Sequence, residues 1–286
     1  MPVDEPPVAQ MLEVATSSAP LLERARGLVE SLDGWLPVDD IWMTLSDPDE
    51  EVYATAGSPG LHEHVGRPVL AVTLAEPDGH PLGVLHLLFP VADPPSEAVR
   101  GHLATLSSVI AEGISPMRSV LASAKIVHAA SSGVVLLQNG GTHPFPGMRD
   151  DLLSRLPHVV DVARRVLLDG QVYRTFMWPV SDGTPHPPHV RITVLAATDA
   201  PRFVLGAVLA SDDGHCNNLT ARELEVLGLM VDGRSNQQIA EHLVIAARTV
   251  ATHVEHILHK LDVPTRTHAA VRAEREGCYV PAPPAG

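Results

Sequence analysis

Between Ala247 and Leu261 the chain reads ARTVATHVEHILHKL. Val250, Val254, Ile257 and Leu261 recur at i, i+4, i+7 and i+11, the spacing of one buried stripe on a helix. Arg248, Ala251, Thr252, Glu255 and His259 fall on the opposite face. Such a face is what a recognition helix presents to a DNA major groove. Other groups that could do chemistry are less organised. His253, His256 and His259 turn progressively around the helix and share no face, so they read as surface or interface imidazoles. His62 with His64, and His186 with His189, have no second pair at zinc-site spacing, so no metal is expected. There is no Gly-rich phosphate loop, G-x-S-x-G elbow or H-E-x-x-H, so neither an enzyme nor a bound cofactor is expected. Lysine occurs only at Lys125 and Lys260, neither placed for a phosphoacceptor pocket.

The segments around this helix carry consistent local signals. Thr220 with Glu223 makes a capping box, as does Ser235 with Gln238. Leu219 and Leu224 stand at hydrophobic-staple spacing. Gly233 supplies a left-handed helix end. A short helix through Ile239, Ala240 and Leu243 precedes a turn at Val244-Ile245. A fourth helix, about Arg266 to Glu276, ends before Gly277.

From Asn218 to Cys278 the chain resembles the LuxR/FixJ helix-turn-helix family. The matching residues are Leu219 to Leu227 (LTARELEVL), Gly233, Asn236, Ile239-Ala240, Leu243, Thr249-Val250, His253, Ile257 and Lys260-Leu261. The resemblance implies that Ala251, Thr252 and Glu255 occupy groove-facing positions, with Ala251 where relatives usually carry a lysine. It implies that Thr249 and Lys260 meet phosphate. It implies dimerisation through the fourth helix, where Ala269, Ala270 and Ala273 would allow close approach. Ala246 stands where a Ser or Thr commonly caps the third helix, a loss of about 1 kcal/mol.

Upstream, the hydrophobic period changes twice. Residues 8–115 read as a helix, short strands at Asp40–Leu45, Glu51–Thr55, Pro68–Leu74 and Leu82–Phe89, and a helix capped by Ser96. With the run Gly83 to Phe89 and the closing amphipathic helix, this resembles a GAF domain. Residues 116–130 read as a connecting helix. Residues 131–211 read as a strand at Gly133–Gln138, helices at Met148–Leu156 and Val159–Leu168, then strands at Gln171–Trp178, His189–Ala197 and Arg202–Ala210. That order is similar to a PAS domain. Residues 212–217 are then a linker, 218–278 the helix-turn-helix domain, and 279–286 a disordered tail. The expected fold class is multi-domain: two α+β sensor domains, GAF-like and PAS-like, followed by an all-α four-helix domain. Trp35 and Trp42 do not reproduce the aromatic and acidic pattern of an acyl-homoserine-lactone domain.

The bulk numbers fit this division. At 286 residues the chain is too long for one small domain. A 45% hydrophobic content with only 3% aromatics predicts cores of Leu, Val, Ile and Ala. The net charge of −14 opposes nucleic-acid binding by the chain as a whole. From Asn217 onward, however, seven bases meet eight acids, so the acidic excess lies upstream. No apolar run spans a bilayer and no leader pattern opens the chain, so a cytoplasmic protein without membrane contact is expected. Cys216 and Cys278 are isolated in sequence and are expected to be plain thiols.

The function expected is a transcriptional regulator. Its partners are double-stranded promoter DNA, a second copy in a homodimer, and a small-molecule or protein ligand of the sensor domains. A small ligand would be apolar, given the aliphatic cores. The alternative is a signalling adaptor whose degenerate helix-turn-helix mainly dimerises or binds protein.

Overall fold

The computed structural model describes residues 6–57, 69–77, 79–92, 94–116, 118, 127, 130–145, 148, 152–180, 188–198, 200–212 and 216–282. Residues 58–60 and 181–185, most of the connecting helix, His62, His64, His186, Lys125, residues 213–215 and the tail from 283 lie outside them. The chain forms two compact units, Met1–Arg118 and Ser119–Gly286. No helix among the described residues is long and apolar enough to cross a membrane.

The first unit opens with α1 (Val8–Thr16) and α2 (Leu21–Asp33). Four strands follow: β1 (Asp40–Ser46), β2 (Val52–Ala56), β3 (Val69–Ala75) and β4 (Pro81–Leu88). α3 (Glu97–Ile114) closes the unit, its first turn capped by Ser96, whose Oγ accepts from the Val99 amide at 3.3 Å. The antiparallel sheet has the order β2-β1-β4-β3. Period-two alternation puts Ile41, Met43 and Leu45 on one face, where they share a core with Leu28, Leu32, Leu103 and Ile110. The buried Arg24 donates from Nε to the Gly113 carbonyl at 2.8 Å, tying α2 to the end of α3. Gly83 has φ +154°, and a Cβ there would lie 2.0 Å from the Thr44 carbonyl, so β4 approaches β1 at a position only glycine fills.

The second unit starts with β5 (Ala130–Leu137) and β6 (Thr142–Pro144), a hairpin turned at Asn139-Gly140. A 3-10 turn at Leu153–Arg155 leads into α4 (Pro157–Leu168), with proline in the first turn where it costs no hydrogen bond. Residues 149–151 of the expected helix are outside the described set, and its end is this 3-10 turn. β7 (Tyr173–Pro179), β8 (His189–Ala196) and β9 (Val204–Ser211) complete an antiparallel sheet of order β6-β5-β9-β8-β7. β7 is therefore an edge strand.

Four helices follow: α5 (Ala221–Val231), α6 (Asn236–Leu243), α7 (Ala247–Leu261) and α8 (Arg266–Glu276). The division expected at 212–217 is not a gap in packing. One apolar cluster runs from Val134, Phe176 and Ile192 of the sheet to Val226, Ile257, Ala273 and Tyr279.

Two expectations are corrected here. Cys216 and Cys278 are joined in a disulfide, with Cα atoms 5.4 Å apart. They flank the four helices in sequence, and the bundle brings its entry and exit together. The tail is ordered through Ala282. Tyr279 is 1% exposed, and its carbonyl accepts from the Met177 amide on the open edge of β7 at 2.8 Å. Edge pairing satisfies backbone that a proline-rich sequence would otherwise leave in solvent.

Candidate nucleic-acid interface

α5 begins at the expected capping box. Thr220 Oγ1 accepts from the Glu223 amide at 3.3 Å, and Glu223 Oε2 accepts from the Thr220 amide at 2.7 Å. α6 repeats the device, with Ser235 Oγ accepting from Gln238 and Gln238 Oε1 accepting from Ser235. Val244 ends α6 in the left-handed region, φ 54° and ψ 47°, and is 89% exposed. Ala246 then opens α7 without a side-chain cap, as its missing hydroxyl requires. Arg266 of α8 donates to Asn236 Oδ1 and to the Arg234 carbonyl, fixing the start of α6. Arg222 of α5 donates to the Leu243 carbonyl at 2.9 Å, fixing its end.

Against this frame α7 buries Val250, Ile257 and Leu261, with Val254 half-buried. Arg248, Thr249, Thr252, Glu255 and His259 are exposed, and Ala251 is half-exposed. One surface therefore presents a guanidinium, two hydroxyls, a carboxylate and an imidazole. Thr252 donates its hydroxyl to the Arg248 carbonyl at 3.2 Å, which leaves its methyl and oxygen lone pairs facing outward. The Arg248 guanidinium has no hydrogen bond or ion pair among the described residues.

Lys260, expected to meet phosphate, has partners within the chain in this conformation. Its Nζ lies 2.7 Å from Glu223 Oε2 and 3.0 Å from the Asn218 carbonyl. Glu223 is buried, and its second oxygen is 3.9 Å from His256 Nδ1. Burial works against the charged carboxylate. The hydrogen bonds from Lys260 and Thr220 outweigh it and hold the acid below its ordinary range. In this conformation Lys260 locks α7 to the start of α5. The pair is 37 residues apart in sequence, and the capping box alone gives no sign of it.

Of the three α8 alanines expected at a dimer contact, two face inward. Ala269 and Ala273 are 0% exposed inside the chain's own core, so they fit α8 to α5 and offer no outer surface. Ala270 is half-exposed, and the outer side of α8 instead carries Val271, 51% exposed, with His268 and Arg275.

Residues 217–273 match the model of the bacterial regulatory proteins of the luxR family. The chain carries a LuxR-type helix-turn-helix domain. The transcriptional regulatory protein LiaR of Bacillus subtilis (strain 168) is 53% identical over 58 residues, 20% of this chain and 28% of LiaR. DegU of Brevibacillus brevis is 51% identical over 59 residues, 21% of this chain and 25% of DegU. The HTH-type transcriptional regulator MalT of Vibrio campbellii (strain ATCC BAA-1116) is 46% identical over 56 residues, 20% of this chain and 6% of MalT. The chain thus matches 28%, 25% and 6% of the length of these relatives. Among solved structures, VqmA bound to DPO aligns with 48% of this chain and 69% of its own at 22% identity and a TM-score of 0.24, too loose to carry an argument.

Proposed function

We propose that the chain is a transcriptional regulator that binds double-stranded promoter DNA as a homodimer, with α7 entering the major groove under control of the upstream GAF-like and PAS-like domains. The observation that carries the reading is the outer face of α7. Arg248, Thr249, Ala251, Thr252, Glu255 and His259 stand together on it, held by a frame of capped helices that belongs to a DNA-binding family. Arg248 supplies phosphate attraction, while Thr252 and Glu255 supply base-edge contacts, the carboxylate accepting from a cytosine amino group. Val271, Ala270 and Arg275 on α8 form the face offered to the second copy. The strands β7 to β9, consecutive in sequence and adjacent in the sheet, support the PAS-like reading; the helix, strands, helix order of residues 8–114 supports the GAF-like one.

One observation favours the adaptor reading. With Lys260 engaged by Glu223, α7 has Arg248 as its only permanent cation without a partner among the described residues. A gel shift with the full chain and DNA from its own promoter region separates the two. A discrete shifted species that competitor DNA does not remove supports the regulator. No shift at micromolar protein supports the adaptor.

A further inference from the structure

The four-helix domain does not hang from the second sheet by its linker alone. After Gly277 the chain crosses the open edge of β7 as a strap. Met177 donates to the Tyr279 carbonyl at 2.8 Å, and Val280 donates back to the Leu224 carbonyl of α5 at 3.1 Å. The Tyr279 hydroxyl accepts from Arg174 Nε at 2.7 Å. Arg191 of β8 donates to the Glu276 carbonyl at 2.7 Å. One covalent bond pins this strap. Cys278 is its first residue, and Cys216 lies just before α5. Both sulfurs belong to a small apolar cluster with Met177 of β7 and Leu224 of α5.

We propose that the Cys216–Cys278 disulfide is a reversible redox latch that fixes the DNA-binding helices to the edge of the second sheet. Its reduction would free the strap. The chain has no third cysteine, so within one copy the bond has a single pairing. The Cα separation of 5.4 Å lies in the ordinary range for a bridge, so the thiols can re-form it wherever the strap is docked. A protein that acts on chromosomal DNA works in a reducing compartment, where disulfides are typically transient or sensing. The latch rests on the DNA-binding reading for its reducing surroundings and its consequence, and not for its geometry.

The reaction is thiol–disulfide exchange with a dithiol reductant. The bond between Cys216 Sγ and Cys278 Sγ breaks and a new disulfide forms within the reductant. Two electrons and two protons pass from the reductant to the cysteines, leaving two thiols. Cys216 and Cys278 are 5% and 4% exposed, so attack requires the strap to lift first. Reduction therefore reads how firmly the helices are docked on β7.

The test uses the full chain, oxidised or treated with dithiothreitol, with amide exchange followed by NMR. The expected result is that the Met177 and Val280 amides exchange at least tenfold faster after reduction, while those inside α7 stay unchanged. A C216S/C278S double variant should show the fast rates in either condition. Equal rates in the oxidised and reduced chain overturn the latch. So does faster exchange throughout α7 on reduction, which makes the bond a plain structural staple. So does finding two free thiols in chain exposed to oxidised dithiothreitol. DNA binding measured on the same samples keeps the two readings apart. A redox-dependent strap with no DNA binding in either state supports the latch and removes the DNA reading. An unchanged strap with DNA bound in both states does the reverse.

Discussion

Lys260 Nζ sits 2.7 Å from Glu223 Oε2, so the last lysine of the chain joins the end of α7 to the capping box of α5. Removing it leaves a buried carboxylate short of its strongest donor. Lys260→Ala should therefore lower stability by about 2 kcal/mol, less than a fully buried pair because the lysine is partly exposed. Denaturant unfolding at pH 7 measures this.

The same pair sets a pH dependence. Glu223 has its acid depressed in the folded chain. Its contribution is present above the unfolded carboxylate range of about 4.3 and is lost as pH falls through the lower folded value. Glu223→Gln should be less stable than the parent at pH 7, and the gap should close on acidification through that range. Unfolding midpoints taken from pH 7 down to pH 3 check the sign.

The turn before α7 holds two departures that substitution can repair. Val244 adopts a left-handed conformation although it is β-branched, and it is too exposed to gain by packing. Val244→Asn should stabilise by about 1 kcal/mol, since asparagine tolerates that region. Ala246→Ser should add about 1 kcal/mol by capping α7. Thermal melts of each variant and of the pair read both gains.

The four helices were legible because their signals are local. Thr220 to Glu223, Ser235 to Gln238 and the apolar stripe of α7 each lie within a few turns of chain. Eight of the nine described strands were legible from their alternation and from turn residues; the three-residue β6 (Thr142–Pro144) was not, being too short to show a period. Contacts between distant segments were not legible. Glu223 finds Lys260, Cys216 finds Cys278 and Tyr279 finds β7 only once the bundle has closed. The alanines of α8 show the limit of family resemblance: small residues permit close approach, but sequence does not say whether the neighbour is α5 or a second copy.

Gly228 tests the strap from the side of α5. A Cβ there would lie 1.8 Å from the Val280 carbonyl, a backbone atom that has no rotamer to escape by. Gly228→Ala should force the strap off α5 and cost about 2 kcal/mol, as overpacking does, despite alanine's better helix propensity. The stability loss should be accompanied by fast exchange at the Val280 amide. A variant that is as stable as the parent, with Val280 still protected, would place the strap elsewhere in solution.

On the face of α7 proposed to meet DNA, Arg248 and Lys260 are different kinds of cation, one exposed and one held by Glu223. Each phosphate neutralised adds about 0.9 to the slope of log affinity against log salt. Arg248 is exposed and unpaired among the described residues, so Arg248→Ala should weaken binding to all sequences and lower the slope by about 0.9. Lys260 is held by Glu223, so Lys260→Ala should leave the slope unchanged while costing stability. Glu255→Lys replaces a carboxylate on the outer face by a cation. It should tighten non-specific binding, raise the slope, and relax base preference at the one position in each half-site where the carboxylate is proposed to accept from cytosine. Fluorescence anisotropy of the full chain on labelled duplexes, from low to high salt, measures all three. If Lys260→Ala lowers the slope by about 0.9 and Arg248→Ala does not, then Lys260 leaves Glu223 on binding and α7 enters the groove with its C-terminal end closer to the backbone.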